Sequence, residues 1–174
     1  MLKFFITYSV LFLSYSFYLD RTQQKGDVFS CSPITQTVAY HTQKLANFFG
    51  YNATAYQHET ELTMKFYVGD IYAIRIVEGC NAVSIIILFI AFIIAFAGSI
   101  KATILFGLAG SFLIYAINII RIFVLSLLLY KFPEYRNLLH GLLFPAIIYG
   151  TVFLLWIIWV NKFSYIKKVK KWVD

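Results

Sequence analysis

Four stretches of the chain are almost entirely apolar, and a long polar stretch separates the first from the other three. The apolar stretches cover residues 2–19, 82–100, 102–130 and 142–160. Each is close to or above the ~20 residues that a helix needs to cross a bilayer. The pattern therefore predicts an all-α polytopic membrane protein with about four transmembrane helices.

The first apolar stretch has two interpretations. A cleaved signal peptide ends in small residues, but Phe17-Tyr18-Leu19 is bulky and Asp20-Arg21 follows directly. An uncleaved transmembrane anchor over residues 1–19 is therefore the preferred interpretation.

The polar stretch, residues 20–79, contains two segments with secondary-structure signals. Residues 35–49 have the apolar spacing of a helix. In residues 62–77 apolar and polar positions alternate, and Gly69-Asp70 supplies a turn, which predicts a β-hairpin. We expect a loop with a short helix and a β-hairpin that packs on the membrane surface.

Composition agrees with a membrane protein and excludes several other classes. Of the 174 residues, 60% are hydrophobic and 13% are charged, against roughly 25% charged residues in a soluble domain. Aromatic residues make up 20% and suit anchoring at membrane interfaces. A soluble enzyme, a disordered regulator and a disulfide-rich secreted module are excluded.

The charge distribution orients the chain. The net charge is +7, and a run of lysines follows the last apolar stretch: Lys162, Lys167, Lys168, Lys170 and Lys171. This indicates a cytoplasmic anchor near anionic lipid and not a nucleic-acid footprint. Residues 162–174 are then a basic cytoplasmic tail and Lys101 is also cytoplasmic, so residues 20–79 form an extracytoplasmic loop.

This topology brings three chemically unusual residues to the outer membrane surface. Cys80 begins the second span, Arg121 lies about 30 Å along the third, and His140 begins the fourth. Residues 80–161 would thus form a three-helix membrane core that carries a site.

Each of the three residues also has a simpler interpretation. Arg121 could extend its head group to the interface, but an arginine within an apolar run costs at least ~2.5–3.5 kcal/mol and usually marks function. Asn118, one turn earlier, could brace it. Cys80 could be a small buried apolar residue or form a disulfide with Cys31.

Two features favour a reactive Cys80, and His140 fits beside it. Gly79 gives access to the cysteine, and a helix N-terminus lowers the pKa of a thiol. His140 could simply cap the fourth helix, but near a cysteine it is a candidate general acid or base. Glu78 either orients this histidine or solvates a turn. The loop histidines His41 and His58 are interpreted as surface residues without partners.

Together these residues resemble a known family. The order Glu78-Gly79-Cys80-Asn81-Ala82, then Asn118-Ile119-Ile120-Arg121, then His140 resembles the exosortase/archaeosortase family. The length and the Glu-Gly-Cys-Asn-Ala stretch resemble the short exosortase F subgroup. The resemblance covers roughly residues 62–160.

The resemblance implies a membrane-embedded cysteine transpeptidase or protease of the bacterial inner membrane, with its site facing the periplasm or outside. The cysteine matching Cys80 is the proposed nucleophile, which cleaves C-terminal sorting tails of exported proteins through a thioester. The residues matching Arg121 and His140 complete the active site, with Glu78, Asn81 and Asn118 as supporting candidates. Exported proteins with such a tail and membrane lipid are the expected partners, and no nucleic acid, metal or organic cofactor is implied.

The chain departs from the family pattern in two respects. Most exosortases have more transmembrane helices, so an accessory membrane protein is a further possible partner. Many carry Ser-Gly after the cysteine, where this chain has Asn81-Ala82. The competing interpretation is a transporter or assembly subunit in which Arg121 binds an anionic group and Cys80 is dispensable.

Overall fold

A computed structural model describes residues 2–26, 29–96, 98–135 and 138–164, without the side chains of Pro133, His140, Leu142 and Phe144. The helices are α1 (Leu2–Thr22), α2 (Pro33–Phe48), α3 (Val83–Ala95), α4 (Ile100–Lys131) and α5 (Phe144–Lys162). The strands are β1 (Ala53–Gln57), β2 (Thr63–Val68) and β3 (Ile71–Val77). Of the predicted basic tail, residues 165–174 lie outside the described residues.

Three of the described helices are long and apolar enough to cross a membrane: α1, α4 and the Pro145–Lys162 part of α5. The stretch predicted as the second span, residues 82–100, contains the shorter α3, with 13 residues. At 1.5 Å per residue α3 is about 20 Å long, less than the hydrocarbon thickness of about 30 Å. The chain is thus a mostly helical polytopic membrane protein with three helices of spanning length and one shorter apolar helix.

The break between α3 and α4 falls earlier than predicted. Lys101 was expected to separate the two helices, but it lies in the first turn of α4, whose N-cap Ser99 accepts a hydrogen bond from the Ala102 N–H. The α3 helix ends because the Trp159 indole N–H donates to the Phe96 carbonyl, 2.8 Å away. At position 98, before α4, only a glycine fits, since a Cβ on Gly98 would lie 2.3 Å from the Phe163 carbonyl oxygen.

The polar loop folds into a helix and a small sheet. The predicted helix is confirmed as α2, which begins at the N-cap Ser32 with Pro33 as its first residue. The predicted hairpin is confirmed as antiparallel β2 and β3, joined at Gly69-Asp70. The third strand, β1, was not predicted; it pairs antiparallel with β2 and gives the order β1-β2-β3.

The sheet packs on α2 and on the second half of α4, where it buries an apolar core. Alternate β2 residues Met64, Phe66 and Val68 are buried, as the alternation predicted. The first half of α4 packs instead against α3 and α5, and a Cβ on Gly110 would lie 2.2 Å from the Phe89 ring. The α4 helix therefore contributes to two apolar clusters, one with the sheet and α2 and one with α3 and α5, and the 3-10 turn Glu78–Cys80 connects β3 to the start of α3.

Candidate functional site

Cys80 is held at the end of the 3-10 turn that follows β3. It is half-buried and a free thiol, and Gly79 beside it is exposed, with open space where a Cβ would be. The expectation that Cys80 is the first residue of a helix needs correction, because α3 begins at Val83 and its N-cap is Ala82. The first residue of α3 therefore follows Cys80 by three positions.

Asn81 and Ala82 form the tight connection between Cys80 and α3. The Asn81 side-chain oxygen accepts a hydrogen bond of 3.0 Å from the Val83 N–H. Ala82 has φ +65° and ψ −1°, the left-handed conformation that glycine adopts most easily. This explains in physical terms why a glycine suits this place in the family pattern that the sequence resembles.

Arg121 lies on α4, 21 residues beyond Ile100 and so about 32 Å along the helix. The residue is half-buried, and its Nε is fully buried without a hydrogen-bond partner among the described residues. A buried N–H normally has a partner, and leaving one unpaired costs about 1–3 kcal/mol. The Nε–H of Arg121 is therefore an unsatisfied donor within the part of the chain that the structure describes.

Asn118 connects α4 directly to the cysteine. It is 1% exposed, and its Nδ2 donates a hydrogen bond of 2.7 Å to the Cys80 carbonyl. The prediction that Asn118 shares a face with Arg121 is consistent with this contact, but the side chain holds the 3-10 turn and makes no hydrogen bond to the arginine in the described structure.

Cys80 and Arg121 line the same two cavities. The first, of about 210 Å³, lies between β3 and α4 and is bordered by Ala73–Ile76 on one side and Ile122, Leu125 and Leu129 on the other. The second, of about 300 Å³, lies between the start of α3, α4 and the start of α5. Cys80 and Arg121 therefore border both cavities; the first is called the outer cavity below and the second the membrane-side cavity.

The backbone of His140 lies in the π-helical segment Leu139–Leu143, directly before α5. Its side chain is outside the described part of the chain. The preceding residue, Leu139, is buried in the apolar cluster that also contains Ile122, and Cys80 packs against this cluster. The segment carrying His140 therefore adjoins the core beneath the site.

Glu78 does more than solvate a turn, the second of its two predicted roles; the first depends on the His140 side chain, which lies outside the described part of the chain. Its carboxylate accepts hydrogen bonds from the Ser32 N–H and hydroxyl, both at 2.8 Å, from the Thr35 hydroxyl, and from the Asn81 amide at 3.2 Å. The Asn81 amide also donates to the Tyr15 hydroxyl on α1, 2.7 Å away. This network fixes the turn carrying Cys80 to the start of α2 and to α1.

The loop histidines have partners that the sequence did not indicate. His41 Nδ1 lies 2.8 Å from the Tyr115 hydroxyl on α4, and His58 Nδ1 accepts a hydrogen bond from the Thr60 N–H at 3.2 Å. His41 is exposed, as expected of a surface residue, and His58 is half-buried. His41 connects α2 to the middle of α4, and His58 belongs to the β1–β2 connection.

Cys31 is a buried free thiol and forms no disulfide with Cys80. Its N–H donates to the Gln57 side-chain oxygen at 2.9 Å. The pKa of the Cys31 thiol is raised to about 11, mainly by burial and in smaller part by the nearby Glu78, against the lowering effect of the hydrogen bond to Gln57. Cys31 is therefore protonated and unreactive near neutral pH, as expected for a structural cysteine.

The described residues contain no group of three or more histidine, cysteine, aspartate or glutamate side chains that could hold a metal ion. Among the residues that line both cavities, Cys80 supplies a thiol and Arg121 a guanidinium.

The fold and site define a class: a polytopic membrane protein with a half-buried thiol and an arginine whose Nε–H has no partner among the described residues. A family model described as transmembrane exosortase matches residues 3–161 of the chain. The chain belongs to the transmembrane exosortase family, which confirms the resemblance found in its sequence, and the short exosortase F subgroup is consistent with this match. No curated protein and no solved structure matches the chain.

Proposed function

We propose that the chain is a membrane-embedded cysteine transpeptidase that cleaves the C-terminal sorting tails of exported proteins. One observation carries this proposal: Cys80 and Arg121, 41 positions apart in the sequence, border the same two cavities at one point. Family membership supports the reaction class. A nucleophile beside an unpaired donor is the arrangement that acyl transfer requires.

The reaction begins with the Cys80 thiol, whose proton passes to His140. The sulfur attacks the carbonyl carbon of the scissile peptide bond, and Arg121 stabilises the oxyanion that forms. The carbon–nitrogen bond then breaks, the leaving amine takes the proton from His140, and a thioester remains on Cys80. A second nucleophile attacks the thioester, which releases the product and restores the thiol.

The organisation of the chain follows from the same proposal. Residues 1–19 anchor the chain, residues 20–79 form the extracytoplasmic loop, residues 80–161 form the catalytic core and residues 162–174 form the cytoplasmic tail. The site faces the periplasm or outside of the inner membrane, where exported proteins and an acceptor are present. The small number of spanning helices leaves room for an accessory membrane protein beside the substrate's tail.

A second function is favoured by one specific observation. The buried, unpaired Arg121 Nε is also what an anion-binding transporter or assembly subunit would have. The two functions differ in their need for Cys80, since a transporter uses no nucleophile.

The test is the processing of an exported reporter protein that carries a tail of short motif, apolar helix and basic end. Cys80→Ala should abolish cleavage, while the level of the protein in the membrane fraction is retained, because a small half-buried side chain leaves no large cavity. Arg121→Lys should be severely impaired, since lysine lacks the planar fork of donors. His140→Ala should be slower by about 10²–10⁴. Cleavage by Cys80→Ala at the normal rate would end this proposal in favour of the transporter.

A further inference from the structure

The outer cavity runs along a free strand edge. In the order β1-β2-β3, β3 is at the edge of the sheet. Four consecutive residues, Ala73–Ile76, border the cavity, although successive side chains of a strand point to opposite faces. A cavity that contacts four residues in a row therefore lies along the edge of the strand and not over one face.

The outward backbone groups of this edge have no partner strand among the described residues, although Ala73, Ile74 and Ile76 are at most 8% exposed, so a peptide reaches them only through the cavity. In the described part of the chain, the backbone hydrogen bonds of β3 go to β2, and none joins β3 to another element. An edge strand presents the outward N–H and C=O groups of every second residue. An extended peptide adds to such an edge as a further strand, a common mode of peptide recognition.

The length of this edge is limited by an irregularity at Ala73. Phe66 pairs with Ile74 and Tyr67 with Tyr72, so Ala73 is an extra residue in β3. Such a bulge bends the strand and interrupts regular pairing. Regular edge remains from Ile74 to Val77, about 13 Å at 3.3 Å per residue, and it ends three residues before Cys80.

The membrane-side cavity continues from the other side of Cys80 and Arg121. Its walls include Ile85 on α3 and Pro145, Ile148 and Tyr149 on α5. These residues lie on the membrane helices, so an apolar helix that leaves the site here enters the level of the bilayer.

From these observations, and resting on the proposed function, we infer the path and polarity of the substrate. The few residues upstream of the scissile bond pair with the free edge of β3, and the apolar tail downstream occupies the cavity between α3 and α5. Because β3 runs toward Cys80, the substrate strand lies parallel to it. The same path places the tail in the membrane with its basic end toward the cytoplasm.

Photo-crosslinking of the full-length chain in membranes tests this path. A benzoylphenylalanine replaces Arg75, beside the outer cavity, or Tyr149, beside the membrane-side cavity, in a Cys80→Ala background. The matched control is Tyr56 on the opposite edge of the sheet, which is 58% exposed. The probe is the tailed reporter protein, and mass spectrometry locates each crosslink.

We expect position 75 to crosslink to residues just upstream of the cleavage site and position 149 to the start of the tail, each at least about tenfold above position 56. The reverse assignment, yields equal to the control, or a crosslink from position 75 to a second copy of the chain in place of the reporter would overturn the inference. If the wild type cleaves the reporter but one of these contrary crosslinking results is found, the substrate path is refuted and the proposed function is not. Unimpaired cleavage by Cys80→Ala would refute the proposed function instead.

Backbone pairing is tested separately with synthetic tailed peptides and the detergent-solubilised enzyme. Single N-methyl groups are placed on the four residues upstream of the scissile bond. Because a strand pairs through every second residue, kcat/KM should fall about tenfold at alternate positions and little at those between, as expected for loss of one hydrogen bond. A uniform effect at all four positions would contradict pairing with β3.

Discussion

The hydrogen bond from Asn118 to the Cys80 carbonyl predicts that a residue with no part in the bond changes themselves controls the rate of cleavage. In Asn118→Leu, a side chain of similar size loses the amide that donates across 2.7 Å. The carbonyl oxygen then loses this donor in a site where Asn118 is 1% exposed. Leaving such a group unpaired costs about 1–3 kcal/mol.

The 3-10 turn that carries Cys80 can avoid the cost of an unpaired carbonyl by shifting until the carbonyl finds another donor. Such a shift also displaces the Cys80 thiol. A displacement of a reacting group by about 1 Å lowers the rate by about 10². We therefore expect kcat of Asn118→Leu to fall by about 10- to 100-fold. KM should change less than kcat, because the recorded hydrogen bond of the Asn118 amide goes to the Cys80 carbonyl.

The measurement is kcat and KM with a synthetic tailed peptide, beside the midpoint of thermal unfolding in micelles. Ser126→Ala is the matched control on the same helix: Ser126 is fully buried, and its hydroxyl donates to the Phe123 carbonyl at 2.7 Å, away from the site. This control should lose some stability and keep its kcat. Wild-type kcat in Asn118→Leu, or an equal loss in Ser126→Ala, would refute the positioning role.

Three further predictions concern the cysteines, the connection to α3 and the topology. Since the pKa of Cys31 is raised to about 11, only about a thousandth of this thiol is thiolate at pH 8. Cys31→Ser should therefore stay active, and alkylation of Cys31 in the Cys80→Ala variant should accelerate only as the pH approaches 11. Rapid labelling of Cys31 at pH 8 would contradict the burial argument. Ala82→Val should lower the free energy of unfolding by about 1–2 kcal/mol, because a β-branched residue is strained at φ +65°. Ala82→Gly should be nearly neutral, because the relief of strain is offset by the lost burial of a methyl group. Equal midpoints of unfolding for the two variants in micelles would show that there is no strain at this position. An impermeant maleimide should label Cys80 from outside and Lys101→Cys only after the membrane is opened, and the opposite pattern would invert the proposed topology.

The sequence predicts the elements whose signals are local. The β2–β3 hairpin follows from alternating residues around Gly69-Asp70, and α2 follows from its apolar spacing. Strand β1, Ala53–Gln57, lacks such alternation and forms because β2 offers an edge to pair with. The end of α3 could not be predicted either, since the apolar stretch continues past it and the break depends on the Trp159 side chain from another helix.

The site shows the same division between local and tertiary information. Cys80 and Arg121 stand out because a thiol and a guanidinium are rare in apolar stretches, and the structure places both at one junction. The role of Glu78 depends on Ser32 and Thr35, more than 40 residues away, so no local pattern indicates it. The left-handed conformation of Ala82 is likewise set by the turn, and no residue next to it in the sequence indicates it.

The central claim is that Cys80 carries the substrate as a thioester, and trapping this intermediate tests it most directly. Membranes containing the wild-type chain are mixed with a tailed substrate and quenched in acid, and the peptide containing Cys80 is weighed by mass spectrometry. The account predicts an added mass equal to the upstream fragment of the substrate, removed by neutral hydroxylamine and absent from Cys80→Ala. Cleavage of the substrate at the normal rate with Cys80 unmodified throughout, and equally in Cys80→Ala, would contradict it.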